Sequence, residues 1–175
     1  MLWNEIQALK TLGDNEYTIR LYEVYESAHS IYFVMEYLSG GTLLQKLISE
    51  TTEKEVNKIL KSLLNCIKFC HSKGLMHRDI KLDNLMFKTR GDLTSVKIID
   101  FGLAQFFDKK DFILRKCGSP GFIAPEIFSQ EHYSQKCDIF SAGVVAYTLL
   151  TKSSPFPANN EPTLLKMNKL CHIDF

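Results

Sequence analysis

The stretch His77-Arg78-Asp79-Ile80-Lys81-Leu82-Asp83-Asn84 packs five chemically committed side chains into eight residues. Asp79 offers a carboxylate able to accept a proton, Lys81 a cation able to steady a phosphate, and Asn84 a carboxamide able to ligate a metal. A polar surface loop is the plain alternative for such a run, so its flanks decide the reading. Upstream lies the strongest helical pattern in the chain, from Glu53 to Lys73. Thr52 followed by Glu55 is a capping-box pair. Val56, Ile59, Leu60, Leu63, Leu64, Ile67 and Cys70 mark one apolar face, and Gly74 is placed to cap the C-terminus. Downstream, Leu85-Met86-Phe87 predicts a short buried strand and Thr89-Arg90-Gly91-Asp92 a turn. Val96-Lys97-Ile98-Ile99 then returns as a second strand ending at Asp100-Phe101-Gly102. Such a hairpin sets Asn84 and Asp100 side by side, and two converging oxygen ligands suit Mg²⁺.

Further out, Leu2, Ile6, Leu9 and Leu12 fall at helical spacing, and Gly13-Asp14-Asn15 ends that helix. Two runs rich in β-branched and aromatic residues, Ile19 to Tyr25 and Ile31 to Tyr37, predict a β-hairpin about residues 26–30. Ser39-Gly40-Gly41 is a break, and Thr42 to Ser49 a short helix. From Leu103 to Pro125 little periodicity survives, and so long an irregular segment in a compact domain is usually functional. Helical character resumes after Glu126. Ile139 to Leu150 is the longest apolar run; interrupted by Ser141 and Thr148, it is too short to span a bilayer and reads as a buried core helix. Residues 163–171 predict a short amphipathic helix after Ser153-Ser154-Pro155-Phe156-Pro157.

With 175 residues, 45% hydrophobic and 23% charged, the chain has the composition of one globular domain. A formal net charge of +1 gives no electrostatic reason to expect nucleic acid or an acidic membrane as partner. The five cysteines are odd in number and lack disulfide-framework spacing, which points to a reducing compartment. Cys66 and Cys70 fit buried small apolar residues better than metal ligands. Met1-Leu2-Trp3-Asn4-Glu5 has no signal-peptide character, and a cytoplasmic location is the expectation. Nothing in the sequence sets an oligomeric state.

In order and interval, Glu5, Met35-Glu36-Tyr37, the 77–84 loop, Asp100-Phe101-Gly102, Ala124-Pro125-Glu126 and Asp138 resemble the serine/threonine protein kinase family. The segment from Cys117 to Glu126 and the Leu38-x-Gly40-Gly41 exit are most similar to its calcium/calmodulin-dependent branch. The resemblance implies an α+β, protein-kinase-like fold, with residues 1–37 as a remnant of the small N-terminal lobe (one helix and a β-hairpin) and 38–175 as most of a mainly helical C-terminal lobe. It implies ATP and Mg²⁺ as cofactors and a protein Ser/Thr hydroxyl as acceptor. By position, Asp79 accepts or orients the hydroxyl proton, Lys81 contacts the transferring phosphate, and Asn84 and Asp100 hold magnesium. Ser119 bridges Asp79 and Lys81. Glu36 and Leu38 offer backbone groups to adenine, with Met35 as gatekeeper and Met86 as an apolar floor. Glu5 belongs to the nucleotide-gripping ion pair, and Asp83, at the nucleotide's edge, faces a basic residue of the substrate. Leu9, Leu21, His77 and Phe101 form the apolar spine, and Asp138 takes hydrogen bonds from the catalytic-loop backbone rather than serving only as a helix N-cap.

The chain also departs from the family. A Gly-rich loop and a strand lysine precede the helix carrying Glu5 in kinases, whereas Glu5 is the fifth residue here. The chain is therefore read as a partial domain, weakly active or inactive as given. Its single N-terminal hairpin is expected to be marginal, with a free edge, and Glu126 to lack the arginine that pairs it in the family, whose last helices are absent. Thr42 stands where basophilic relatives often carry a glutamate. Ser119 is the only hydroxyl residue between Gly102 and Pro125, so Asp108 or Asp111 is expected to occupy Arg78 in place of a phosphosite. A non-catalytic, pseudokinase-like scaffold is the competing reading, favoured by the absent lysine and opposed by the intact Asp79, Lys81, Asn84 and Asp100.

Overall fold

The computed structural model describes residues 2–47, 51–107, 116–129 and 133–173. Helix α1 (Leu2–Leu12) buries Ile6, Ala8, Leu9 and Leu12 along one side. Gly13, at φ +64°, ends it and donates to the Leu9 carbonyl at 3.0 Å. Asn15 then shapes the connection, its Oδ1 accepting from the Tyr17 and Thr18 amides at 2.7 and 2.9 Å. Strands β1 (Leu21–Glu26) and β2 (Ile31–Met35) form the expected antiparallel hairpin, with an irregularity between Leu21 and Glu23. Both strand limits differ slightly from the sequence expectation. Ile19 is taken instead by the Ile98 carbonyl at 2.9 Å, while Glu36 and Tyr37 lie beyond β2. The Ile19 contact ties the base of the hairpin to a strand of the larger body, so the two strands do not stand alone.

Helix α2 spans Leu43–Leu47. Helix α3 (Glu53–Ser72) carries both reciprocal bonds of the Thr52/Glu55 capping box. Its buried face comprises Val56, Ile59, Leu63, Cys66, Ile67 and Cys70. Leu64, expected on that face, is exposed, because the stripe drifts around the helix past Cys66. Lys73 is the capping residue, and Gly74 takes the left-handed turn after it at φ +70°. Burial pushes the Cys66 thiol up to about 12 and the Cys70 thiol up as well. Both behave as small core residues and not as nucleophiles or ligands.

Strand β3 (Leu75–Met76) leads into the 77–84 loop, which ends in a 3₁₀ turn over Leu82–Asn84. Strands β4 (Leu85–Phe87) and β5 (Val96–Ile98) then pair antiparallel, as the two apolar runs with a turn between them predict. Gly40 lies against this hairpin so closely that a Cβ there would collide with the Phe87 carbonyl. The segment expected to be irregular contains a two-residue strand, β6 (Gln105–Phe106), antiparallel to β3 with Leu75 opposite Phe106.

Helices α4 (Pro125–Ser129), α5 (Lys136–Thr151) and α6 (Glu161–Leu170) complete the described chain. Contrary to expectation, α5 is not buried all round. Cys137, Asp138, Ser141, Ala142, Val144, Val145, Thr148 and Leu149 face inward, but Ile139 and Leu150 are half exposed. Helix α6 begins two residues early because the Asn160 side chain caps it, accepting from the Thr163 amide at 3.0 Å. The main core runs from α1 through α3, β4 and β5 to α5. A smaller cluster of Met76, Ile123, Ala124, Ile127, Tyr133 and Cys137 sits beneath the segment that precedes α4. No helix among the described residues is long and apolar enough to cross a membrane.

Candidate active site

The rigid end of α3, the turn at Gly74 and strand β3 deliver His77 and Arg78 to the centre of the molecule. Arg78 sits at φ +69°, left-handed backbone that costs a side-chain-bearing residue about 1–2 kcal/mol. The surroundings impose this conformation. The Asp138 carboxylate, 1% exposed in the first turn of α5, accepts from the His77 amide at 2.9 Å and the Arg78 amide at 2.8 Å. His71 Nε2 lies 2.8 Å from the same carboxylate. Asp138 is thus inside the helix, not its N-cap, and it holds the backbone of the 77–84 loop.

The Arg78 guanidinium is held in turn: Nε donates to the Leu103 carbonyl at 2.7 Å, Nη1 to the Tyr133 hydroxyl at 3.0 Å and Nη2 to Gln105 Oε1 at 3.4 Å. Asp108 and Asp111, expected beside this arginine, lie outside the described residues. His77 is fully buried and burial holds its pKa down, so the ring is neutral at pH 7. Its Nδ1 accepts from the Asp79 amide at 3.2 Å, and its ring meets Phe101 edge-on at 5.1 Å. Leu9 lies in the main core cluster with Phe101, and Leu21 packs on that cluster half-buried.

Asp79, Lys81, Asn84 and Ser119 converge. Asn84 Nδ2 donates to both the Asp79 carbonyl and Asp79 Oδ2, each at 3.0 Å. Lys81 Nζ stands 3.5 Å from Asp79 Oδ2 and donates to Ser119 Oγ at 2.8 Å. Ser119 therefore reaches Asp79 through the lysine and not by a direct bond. The other Asp79 oxygen, Oδ1, is buried with no hydrogen-bond partner among the described residues. A buried carboxylate oxygen left unpaired is costly and marks a place where a ligand donor belongs.

Asp100 is brought alongside by the β4–β5 hairpin, where the Ile99 amide donates to the Asn84 carbonyl at 3.1 Å. Its Oδ1 accepts from the Gly102 amide at 2.8 Å. Neither Asn84 Oδ1 nor the second Asp100 oxygen accepts a hydrogen bond among the described residues. Hard oxygen donors left free in this way fit a magnesium ion, which prefers one or two carboxylates, phosphate oxygens and water. Glu5 faces the same place from α1. Burial first, then the charge of Asp100, raises its pKa, and a hydrogen bond from the Phe101 amide partly opposes them. No cation lies within ion-pair distance of Glu5 or of Glu126 among the described residues.

The remaining candidates line the approach. Met35 is half-buried at the end of β2, Leu38 is 6% exposed, and Met86 is half-buried in β4 opposite Thr42. Asp83 is exposed on the 3₁₀ turn, with no hydrogen-bond or ion-pair partner among the described residues. The Glu36 side chain has a task the sequence did not announce. Its Oε2 accepts from Lys97 Nζ at 2.7 Å, and Lys97, only 2% exposed, also donates to the Asn15 and Thr18 carbonyls at 3.0 and 2.9 Å. One buried ammonium with all three donors used thus ties the loop after α1, the segment after β2 and strand β5. Tyr133, Lys97, Ser141 and Asn168 were all missed as site-supporting residues, since each acts on a partner far away in sequence.

Comparison with known proteins identifies the family. The profile of the protein kinase domain matches residues 1–174. The chain is 41% identical over 176 residues to a probable serine/threonine-protein kinase 2 of Plasmodium falciparum, covering 99% of this chain and 34% of that protein. It is 34% identical over 178 residues to a probable myosin light chain kinase of Dictyostelium discoideum, covering 100% of this chain and 56% of that protein. It is 34% identical over 176 residues to calcium-dependent protein kinase 4 of Arabidopsis thaliana, with 99% and 35% covered. The chain thus spans about a third to just over a half of these relatives' length. With a continuous match along its whole described core, it belongs to the protein kinase domain family.

Proposed function

We propose that the chain provides the phosphoryl-transfer centre of a protein serine/threonine kinase, moving the γ-phosphate of ATP to a protein Ser or Thr hydroxyl. The observation that carries this reading is the unpaired, buried Oδ1 of Asp79 beside Lys81 Nζ. Asp79 receives the acceptor hydroxyl and its proton at Oδ1, while Asn84 and Lys81 keep Oδ2 in place. Lys81, steadied by Ser119, balances charge on the transferring phosphoryl group. Asn84 and Asp100 would hold Mg²⁺, which when bound neutralises charge on the nucleotide phosphates. Glu36 and Leu38 offer main-chain groups to the base between Met35 and Met86. Asp83 stands at the rim, toward the ribose or a basic substrate residue, and Glu5 awaits a cation. The unpaired thiols support a reducing, cytoplasmic setting.

The test is transfer of labelled γ-phosphate from Mg-ATP to a mixed Ser/Thr peptide pool, together with the Mg-ATP-dependent shift in melting temperature. Asp79→Asn is expected to lower transfer by about 10²–10⁴-fold while leaving the shift in place. Asp100→Asn is expected to remove the shift. Glu5, with no cation within ion-pair distance among the described residues, favours a second reading, a non-catalytic scaffold of kinase fold. Neither a shift nor transfer in the unaltered chain would overturn the enzyme reading in its favour.

A further inference from the structure

One stretch of chain holds Arg78 at both of its ends. Asp138, in the first turn of α5, accepts from the Arg78 main-chain amide at 2.8 Å. Five residues earlier, on the approach to the same helix, the Tyr133 hydroxyl accepts from Arg78 Nη1 at 3.0 Å. Tyr133 is buried and packs in the smaller apolar cluster with Met76, Ile123, Ala124, Ile127 and Cys137. Phenylalanine would serve that packing equally well, so the hydroxyl is the part of the side chain that calls for a polar partner. Burial pushes the phenol pKa up, which keeps the hydroxyl neutral where it meets the guanidinium. Cys117 Sγ, 3.9 Å from the same oxygen, brings the segment that carries Ser119 to this point as well.

The Leu103 carbonyl and Gln105 Oε1, which also accept from the guanidinium, belong to the stretch after Asp100-Phe101-Gly102. Tyr133 anchors it instead to the helical body, on the same base as Asp138. Arg78 sits at φ +69°, backbone that a side-chain-bearing residue keeps only under restraint from its surroundings, and Asp79 follows it directly. One point of attachment would leave the residue a pivot. Two points, main-chain amide and guanidinium, fix the turn and with it the direction in which the chain delivers Asp79.

We infer that Tyr133 is a positioning residue for Asp79: by holding the Arg78 guanidinium it keeps the left-handed turn that aims the Asp79 carboxylate at the acceptor hydroxyl. The inference rests on the kinase reading above and adds to it a residue of the helical body that acts at one remove. Its effect falls on the transfer step and not on the binding of ATP or peptide.

The test is a double-mutant cycle in the full chain: the unaltered protein, Tyr133→Phe, Arg78→Met and the pair. Each is followed in steady-state transfer of labelled γ-phosphate from Mg-ATP to a serine peptide, and by amide hydrogen exchange. Tyr133→Phe removes one oxygen and keeps the ring in its apolar cluster. It is expected to lower kcat about tenfold, as for loss of one hydrogen bond to a charged group, and to leave both KM values within about twofold. Exchange of the His77 and Arg78 amides should quicken about tenfold while that of α3 stays unchanged. On the Arg78→Met background the same substitution should alter kcat by less than about twofold. If Arg78→Met does not fold, exchange in Tyr133→Phe decides: faster exchange confined to residues 77–78 supports the inference, and no difference overturns it. Unchanged kcat in folded Tyr133→Phe overturns the inference while the kinase reading stands. An equal fall on both backgrounds overturns it too, since the effect would not pass through Arg78. A fall that follows the melting temperature, with exchange raised along the whole chain, overturns it as a purely structural role. Absence of transfer in the unaltered chain overturns both readings.

Discussion

Asp138 and Glu5 are both carboxylates carried into the site by helices, and the protein treats them in opposite ways. Asp138, on α5, is 1% exposed and answered by two main-chain amides and His71. Glu5, on α1, is answered by one amide and confronted by Asp100. The first side of the site is complete within the chain. The second holds negative charge in reserve, as a place that a cation would relieve. One wall of the candidate site is thus fixed by its own hydrogen bonds, and the other carries carboxylates that repel each other.

The largest effect expected from breaking this contrast is at Asp138. Asp138→Ala leaves the His77 and Arg78 amides unpaired in the interior and releases the left-handed turn, a loss of roughly 3–5 kcal/mol in urea unfolding. A loss below about 1 kcal/mol would mean that the loop is held by something else. Lys97 is the cationic counterpart of Asp138, buried and fully paired, and should come next. Lys97→Met strands the Glu36 carboxylate and two carbonyls, for about 2–3 kcal/mol. The smaller figure reflects the partial solvent access of Glu36 and a second cation, Lys88, at 3.8 Å. Replacing both partners, Lys97→Met with Glu36→Leu, should recover part of that loss, and the double-mutant cycle measures the coupling.

The smallest effect is at Glu5 and has the opposite sign. Because its folded pKa is raised, protonated Glu5 favours the fold in acid, and that contribution is lost as pH rises through the raised value. Glu5→Gln should therefore raise the melting temperature at pH 7 and leave it unchanged well below the ordinary carboxylate range. A variant that is less stable at pH 7 would show that Glu5 already has a favourable partner.

The parts of this molecule that could be read in the sequence are those that act locally. Thr52 and Glu55 cap α3 from three residues apart, and the β4–β5 hairpin follows from two apolar runs with a turn between them. Asp79, Lys81, Asn84 and Asp100 were legible because a loop and one hairpin suffice to gather them. Strands β3 and β6 were not, since two residues carry no periodicity and their pairing spans the whole 77–84 loop and the β4–β5 hairpin. Lys97 reads as an ordinary strand lysine until Glu36 and the Asn15 loop close over it. Asn168 reads as one polar position of an amphipathic helix, and only the fold reveals that its amide meets main chain more than forty residues earlier. Tyr133 likewise gains meaning only from Arg78.

The buried ammonium of Lys97 has a further use. Its protons are shielded from water and shared among three segments, so their exchange with solvent requires the loop after α1, the segment after β2 and strand β5 to part. Followed by nitrogen-15 spectroscopy on labelled lysine, this one group is a built-in clock for opening at the edge of the site, read without any added probe. A slower clock on adding Mg-ATP would place the nucleotide's grip at this same junction.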